Sequence, residues 1–426
     1  MKRIALMWLG SALVMWVSLW CPIVTGASNE DPIVLAVPTS LGFLEGKEGL
    51  NAVNLAVEEI NKAGGVKVGS SKRMFRVESI DIRDAAPGVP VPEALLGLEK
   101  IILEKKPNAI LVGPFRSEAL LAGMDLIAKY KVPMLGSIAM TPESEAKLQK
   151  EPDKYKYVFR VSLNVKYWAG LLMGTMKALN EKFAFKKVYL VNQDVLWARG
   201  TAKAMADWYP KNGWEVLGQD EFPTGASDFS ASLMKTKSQG AHILFTCFDM
   251  PQSGILVKQW KSMKVPALMV GFISPMAGQA AWNTFDRKID GLMNAIFELG
   301  NIASIKYAPA TAFYNAYKAK YGKDIESGHG PAPSYESVYI LKEAIERAGS
   351  LDPDALVAAL EKTDRKGVMG RVKFSPEHQV IFGTDPSEAA TACFFQWNEK
   401  GGRTIVYPPA LAEADIRLPS WMKPAK

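Results

Sequence analysis

Short apolar runs alternate with amphipathic stretches along most of the chain. Residues 33–37 are continuously apolar and precede Pro38 and Gly42; Leu50, Val53, Val57 and Ile60 then recur at helical spacing up to Gly64-Gly65. This predicts a strand, then a helix closed by the glycine pair. Residues 76–82 read as the next strand, 93–105 as a helix, 109–112 as a buried strand ended by Gly113-Pro114, 117–130 as a helix and 133–136 as a further short strand. The alternation restarts with strands at 187–191, 214–222, 242–248 and 267–272, separated by helices at 198–211, 229–236 and 254–263. Two βα runs in series predict an α/β protein with two parallel-sheet domains of doubly wound type. Ligand is expected in a cleft where the carboxyl ends of their strands face each other.

The last third has a different rhythm. Helices are predicted at 310–321, 334–348 and 354–362, then short antiparallel strands at 370–374, 379–383, 391–398 and 403–407, with an irregular tail beyond Pro408. No low-complexity linker separates the halves, so direct strand crossovers are expected between the domains.

The first residues carry a different signal. Lys2 and Arg3 precede an apolar core at 4–20, which leads into Thr25-Gly26-Ala27. That is the order of a secretory leader, with cleavage expected after Ala27 and a periplasmic mature protein; a retained membrane anchor is the competing reading. A lipoprotein signal through Cys21 is disfavoured because Trp20 precedes it.

Composition agrees with a folded exported protein: of 426 residues, 48% are hydrophobic and 22% charged, enough for two or three domains. The net charge of +7 falls once the leader's two basic residues are removed, leaving 49 basic against 44 acidic, or +5 over 399 residues. These basic positions are dispersed, so no nucleic-acid partner is expected. Cys247 and Cys393 sit in apolar runs and read as buried thiols on strands, a disulfide remaining open. His242, His329 and His378 are far apart and lack metal-ligand spacing, so neither metal nor cofactor is expected.

Catalytic motifs are missing. There is no G-x-S-x-G elbow, no H-E-x-x-H, no G-x-G-x-x-G after the first strand, and residues 42–47 lack the length and hydroxyl of a phosphate loop. The Glu58-Glu59 pair lies on a helix with an apolar opposite face and reads as solvated charge. Binding without chemistry is therefore expected, with catalysis through scattered residues as the rival.

Several segments, in order along the chain, resemble the type I periplasmic solute-binding proteins of ABC transporters, in the leucine/isoleucine/valine-binding group. They are residues 49–66 (GLNAVNLAVEEINKAGGV), Gly113-Pro114 with Ser117, 133–142 (PMLGSIAMTP), 157–160 (YVFR), Asp228-Phe229-Ser230, Ser334-Tyr335 and 367–374 (GVMGRVKF). The resemblance implies two Rossmann-like lobes joined by three crossovers, closing on a small ligand and docking on a membrane permease, with the protein a monomer. The lobes would be 28–159 plus 292–368, and 160–291 plus 369–426. A sensor reporting to a membrane receptor would look the same.

Carried over by position, the resemblance assigns the ligand carboxylate to Ser117 and to the turn Ser137, Ile138, Ala139, Met140, Thr141. Hydroxyls and helix-start N–H groups would hold it there without a buried cation. Ser117 and Thr141 also read as simple helix caps. Trp197, where the family has a tyrosine, would supply an aromatic wall from the second lobe. The carboxylate that fixes the ammonium in amino-acid binders is absent, its place after Gly271 being taken by Phe272, Ile273 and Ser274. Glu45 stands where a tyrosine is expected, and Ala332 where an aromatic is. Asp249 is the candidate to take over the ammonium. The ligand implied is a small carboxylate with an apolar body: a branched-chain or other apolar amino acid, or an aromatic or aliphatic acid lacking the amino group.

Overall fold

Buried strand interiors set the architecture of the protein, whose computed structural model describes residues 28–287 and 289–425. The leader and its expected cleavage point lie outside the described residues. In β1 (Ser28–Thr39), Ile33, Leu35, Ala36 and Val37 are fully buried, as a strand covered on both faces by helices requires. With β2 (Val66–Val68), β3 (Ser71–Asp81), β4 (Ala109–Val112), β5 (Met134–Gly136) and β6 (Val158–Arg160) it forms a sheet of order β2-β3-β1-β4-β5-β6. All pairings are parallel except the β2–β3 hairpin. The helix Leu44–Lys62 turns Ala52, Val53, Ala56 and Ile60 inward and packs beside the helix Pro331–Ala348.

A second sheet begins with β7 (Lys187–Gln193), β8 (Glu215–Phe222), β9 (Ile243–Phe248), β10 (Leu268–Ile273) and β11 (Met293–Ile296). A small sheet follows, of β12 (Asp364–Gly367), β13 (Gly370–Lys373), β14 (Phe382–Gly383) and β15 (Ala390–Thr391). Then β16 (Cys393–Trp397) and β17 (Arg403–Tyr407) complete the second sheet in the order β17-β16-β11-β10-β9-β7-β8. Helices Glu143–Lys150 and Val165–Phe183 lie between the two predicted βα runs, and the tail beyond Pro408 is irregular.

Two of the lobe boundaries differ from expectation. The chain does not leave the second lobe at 292, because β11 is hydrogen-bonded between β10 and β16. It does not rejoin that lobe at 369 either: β13, β14 and β15 belong to the small sheet, and only β16 and β17 enter the second. The small sheet is tied to the end of the first, since Arg160 N–H donates to His378 O at 2.8 Å and Val380 N–H to Arg160 O at 2.9 Å. Both boundaries were carried over from the resemblance, which gives the order of the segments and not which sheet each short strand joins. Within the expected antiparallel set, β14 and β15 instead pair parallel.

Cys247 and Cys393 are buried free thiols on β9 and β16. Three strand spacings separate them, about 14 Å, far beyond disulfide reach. Glu59 is not merely solvated: its Oε2 accepts the hydroxyls of Tyr335 and Tyr339 at 2.5 and 2.8 Å.

Candidate ligand-binding site

Strand order locates a crevice in each sheet. In the first, the chain moves outward in opposite directions from the adjacent strands β1 and β4; in the second it does so from β7 and β9. Loops at the carboxyl ends of such pairs cannot cover one another, which leaves a binding crevice between them. The four loops deliver Glu45 after β1, Phe115 and Arg116 after β4, Trp197 after β7 and Asp249 after β9. Val112 and Gly113 both take left-handed φ, 66° and 72°, which turns the chain abruptly towards the cleft. For a β-branched valine that is a strained conformation.

These loops enclose a small cavity between the lobes. Phe115, Trp197, Phe272 and Phe297 form its aromatic wall, Ile138, Ala139 and Met140 its floor, and Glu45, Asp249 and His329 its polar groups. Phe272 stacks on Phe297 with centroids 4.2 Å apart, and Trp197 meets both edge-on. Ala139 and Met140 expose another feature: among the described residues, their backbone N–H groups donate to no protein acceptor.

Of the residues singled out in the sequence, Glu45, Ala139, Trp197, Asp249 and Phe272 line this cavity. Ser117, Ser137 and Thr141 do not. Ser137 Oγ is 2.7 Å from Ser334 Oγ in the packing behind the turn, and Thr141 Oγ1 accepts from Glu143 N at 3.1 Å, a local helix-start role. Ser117 opens the helix Ser117–Tyr130; its buried Oγ has no partner among the described residues.

The turn was expected to work without a buried cation, and here the structure differs. Arg116 is 8% exposed, its Nη1 donates to Asp249 Oδ2 at 2.6 Å across the cleft, and its Nη2 reaches Ala85 O. Its own N–H donates to Asp84 Oδ2, whose partner oxygen accepts from Ser40 Oγ. Burial opposes the guanidinium charge, but the carboxylates of Asp249 and Asp84 outweigh it and hold the pKa above its usual value. Asp249 is thus already shared, since Trp197 Nε1 also donates to Oδ2, at 2.7 Å. Its Oδ1 is buried without a partner.

Glu45 answers from the other side. Its Oε1 accepts from Ser274 Oγ of the second lobe at 2.5 Å, while its Oε2 is buried and unpartnered. Burial, reinforced by Asp249, lifts its pKa to about 7 against the opposing Ser274 bond. His329 is held between Glu298 Oε1 at Nδ1 (3.0 Å) and Ile138 O at Nε2 (2.7 Å). Burial works against the imidazolium, yet Glu298 and the Ile138 carbonyl override it and raise the pKa. Two oxygen partners on the two ring nitrogens favour the doubly protonated ring, in line with the raised pKa.

Arg116, His329, Phe115 and Phe297 were missed in the sequence. Arg116 adjoins Ser117 and was within reach of the same argument; Phe297 and His329 come from a return crossover that no local spacing reveals.

With this geometry in place, comparison with known proteins is informative. The sequence profile of the family described as periplasmic binding protein matches residues 38–403. The chain belongs to that family. This periplasmic binding protein is 24% identical over 392 residues to Leu/Ile/Val-binding protein homolog 8 of Brucella melitensis, spanning 89% of its own length and 90% of the relative's. Its fold matches the branched-chain amino acid transporter substrate binding protein LivJ from Streptococcus pneumoniae, solved with isoleucine, at a TM-score of 0.73 and 23% identity, covering 89% of this chain and 100% of that one. It also matches an ABC-transporter solute binding protein of Rhodopseudomonas palustris, solved with 3,4-dihydroxy benzoic acid, at a TM-score of 0.69 and 18% identity, covering 86% and 93%. The two-lobed type I fold and a solute-binding role are thereby established, and membership in this family places the protein outside the cytoplasm. Among the described residues no helix is long and apolar enough to cross a membrane, and no cluster of His, Cys, Asp and Glu is arranged to hold a metal.

Proposed function

We propose that this periplasmic binding protein captures a small apolar α-amino acid by hinge closure and delivers it to the permease of an ABC importer. One observation carries the reading: a single cavity combines unpaired amide N–H groups at Ala139 and Met140 with an unpaired carboxylate oxygen on Asp249. An anion and a cation on one ligand answer that combination, and a zwitterion supplies both without burying net charge. Aromatic rings surround the rest of the ligand. Closure is favoured because contacts with Ala139 and Met140 on one lobe and Trp197 and Asp249 on the other exist together only in the closed form.

The relatives' branched-chain amino acids support the same class. A rival reading, an aromatic carboxylic acid, is supported by the four-ring wall and by the ligand of the R. palustris relative. Calorimetry against L-leucine, L-isoleucine and L-phenylalanine beside their deaminated acids and benzoate separates the two. Micromolar binding (about 8 kcal/mol) to the amino acids alone upholds the first reading, and binding to the acids alone replaces it. We infer further that the leader is cut after Ala27, that the mature protein is a monomer, and that the cleft performs no chemistry on its ligand. Mass spectrometry of the exported protein, its mass in solution and recovery of unchanged ligand test these three points.

A further inference from the structure

The cavity holds two buried carboxylate oxygens with no partner, one from each lobe: Glu45 Oε2 and Asp249 Oδ1, on side chains 1% and 5% exposed. Unpaired buried carboxylate oxygens are costly, and two together even more so. The groups facing Glu45 do not relieve the cost. Asp249 is balanced by Arg116, and His329 by Glu298. Glu48, one turn further along the same helix, is occupied by the N–H groups of Glu326 and Ser327 and by Lys323. Ser274 offers a single hydroxyl, already given to Oε1. Every cation near Glu45 is therefore matched to another carboxylate.

We propose that Glu45 is the ligand-selecting residue: with Asp249 it grips the ligand's ammonium between one carboxylate from each lobe, and binding sends the Glu45 proton to solvent. The proposal rests on the amino-acid reading of the cavity. In the closed cleft without ligand, burial and the neighbouring Asp249 let the carboxyl keep its proton to about pH 7. An arriving ammonium supplies the missing cation and keeps its own three protons, so the proton that leaves is the one on Glu45. A ligand without an amino group produces the opposite linkage. Its carboxylate needs Glu45 to stay protonated as a donor, so it binds better as pH falls.

The test uses the mature protein, with L-leucine and L-phenylalanine against 4-methylpentanoate and 3-phenylpropanoate. Binding is followed calorimetrically from pH 5.5 to 8 in buffers of different ionisation heat. Amino-acid affinity is expected to fall about tenfold per pH unit below pH 7, with release approaching one proton per ligand at pH 6. Glu45→Gln keeps the Ser274 contact and the volume; it should abolish the proton release and weaken amino-acid binding at pH 8 by about tenfold or more. Amino-acid binding that is flat with pH, with no proton release in the wild type, overturns the role of Glu45 and leaves the amino-acid reading standing. Failure of both amino acids at every pH, with the deaminated acids bound, overturns that reading and this proposal together. The wild-type proton count decides the matter even if the variant folds poorly.

Discussion

Arg116 of the first lobe and Asp249 of the second are joined by a 2.6 Å ion pair buried in the cleft, with Trp197 Nε1 on the same carboxylate oxygen. The pair exists only when the lobes are closed, so it biases the hinge as well as lining the site. Asp249→Ala removes the one carboxylate that ion-pairs with the buried Arg116 and leaves Asp84 as the main remaining one nearby, a penalty of roughly 3 kcal/mol on the closed form. Its expected outcome is a larger radius of gyration by small-angle scattering and a loss of at least hundredfold in amino-acid affinity. An unchanged radius together with unchanged affinity would show that closure does not depend on the pair.

Trp197 combines a wall with a hydrogen bond, and two substitutions separate these. Trp197→Phe keeps a ring against Phe272 and Phe297 and loses only the bond to Asp249, about 1 kcal/mol or some fivefold in affinity. Trp197→Ala removes the wall as well and should cost a further 2 to 3 kcal/mol, about 30- to 150-fold. Titration calorimetry of both variants checks the ordering.

His329 gives a pH-dependent prediction. Its folded pKa is raised, so its stabilisation is complete below the unfolded value near 6.5 and is lost as pH rises through the folded value. Glu298→Gln removes the charge that sustains the imidazolium. The variant should be destabilised at pH 6, on the order of 2 kcal/mol, and the gap to wild type should narrow as pH rises towards 9. Denaturant melts at both pH values check the sign, and a gap that widens with pH contradicts it.

Gly271 bears directly on the site because it precedes Phe272. Its φ of +153° brings it against β9, where an added Cβ would lie 1.9 Å from Thr246 O. Backbone cannot yield as a flexible side chain does, so Gly271→Ala should lose about 3 kcal/mol or more, or fail to fold. Gly88, at φ +76° with nothing within 4 Å of the added carbon, should cost only about 1 kcal/mol when changed to Ala. Thermal melts of the two variants compare the effects.

The βα alternation was legible because continuous apolar runs and helical spacing are local. The strands Ala109–Val112 and Arg403–Tyr407 and the helix Ser117–Tyr130 begin and end where the pattern places them. Five of the eight singled-out residues reach the cavity for a related reason: each lies at or within a few residues of the carboxyl end of a strand, and strand ends are visible in sequence. Ser137 and Thr141 lie outside the cavity lining because a hydroxyl in a turn has several nearby partners, and the sequence does not rank Ser334 or the Glu143 N–H against a ligand.

By itself, the sequence determined the fold class, the two doubly wound units, the family and the loops from which ligand contacts come. All of these depend on order along the chain. Tertiary structure alone decided the return points near 296 and 392, the small sheet against β6, and the pairing of residues far apart in sequence. Asp249 with Arg116, Glu45 with Ser274 and His329 with Glu298 are separated by 133, 229 and 31 positions. Charge balance in a buried cleft depends on distance through space, and only the closing of two lobes sets those distances.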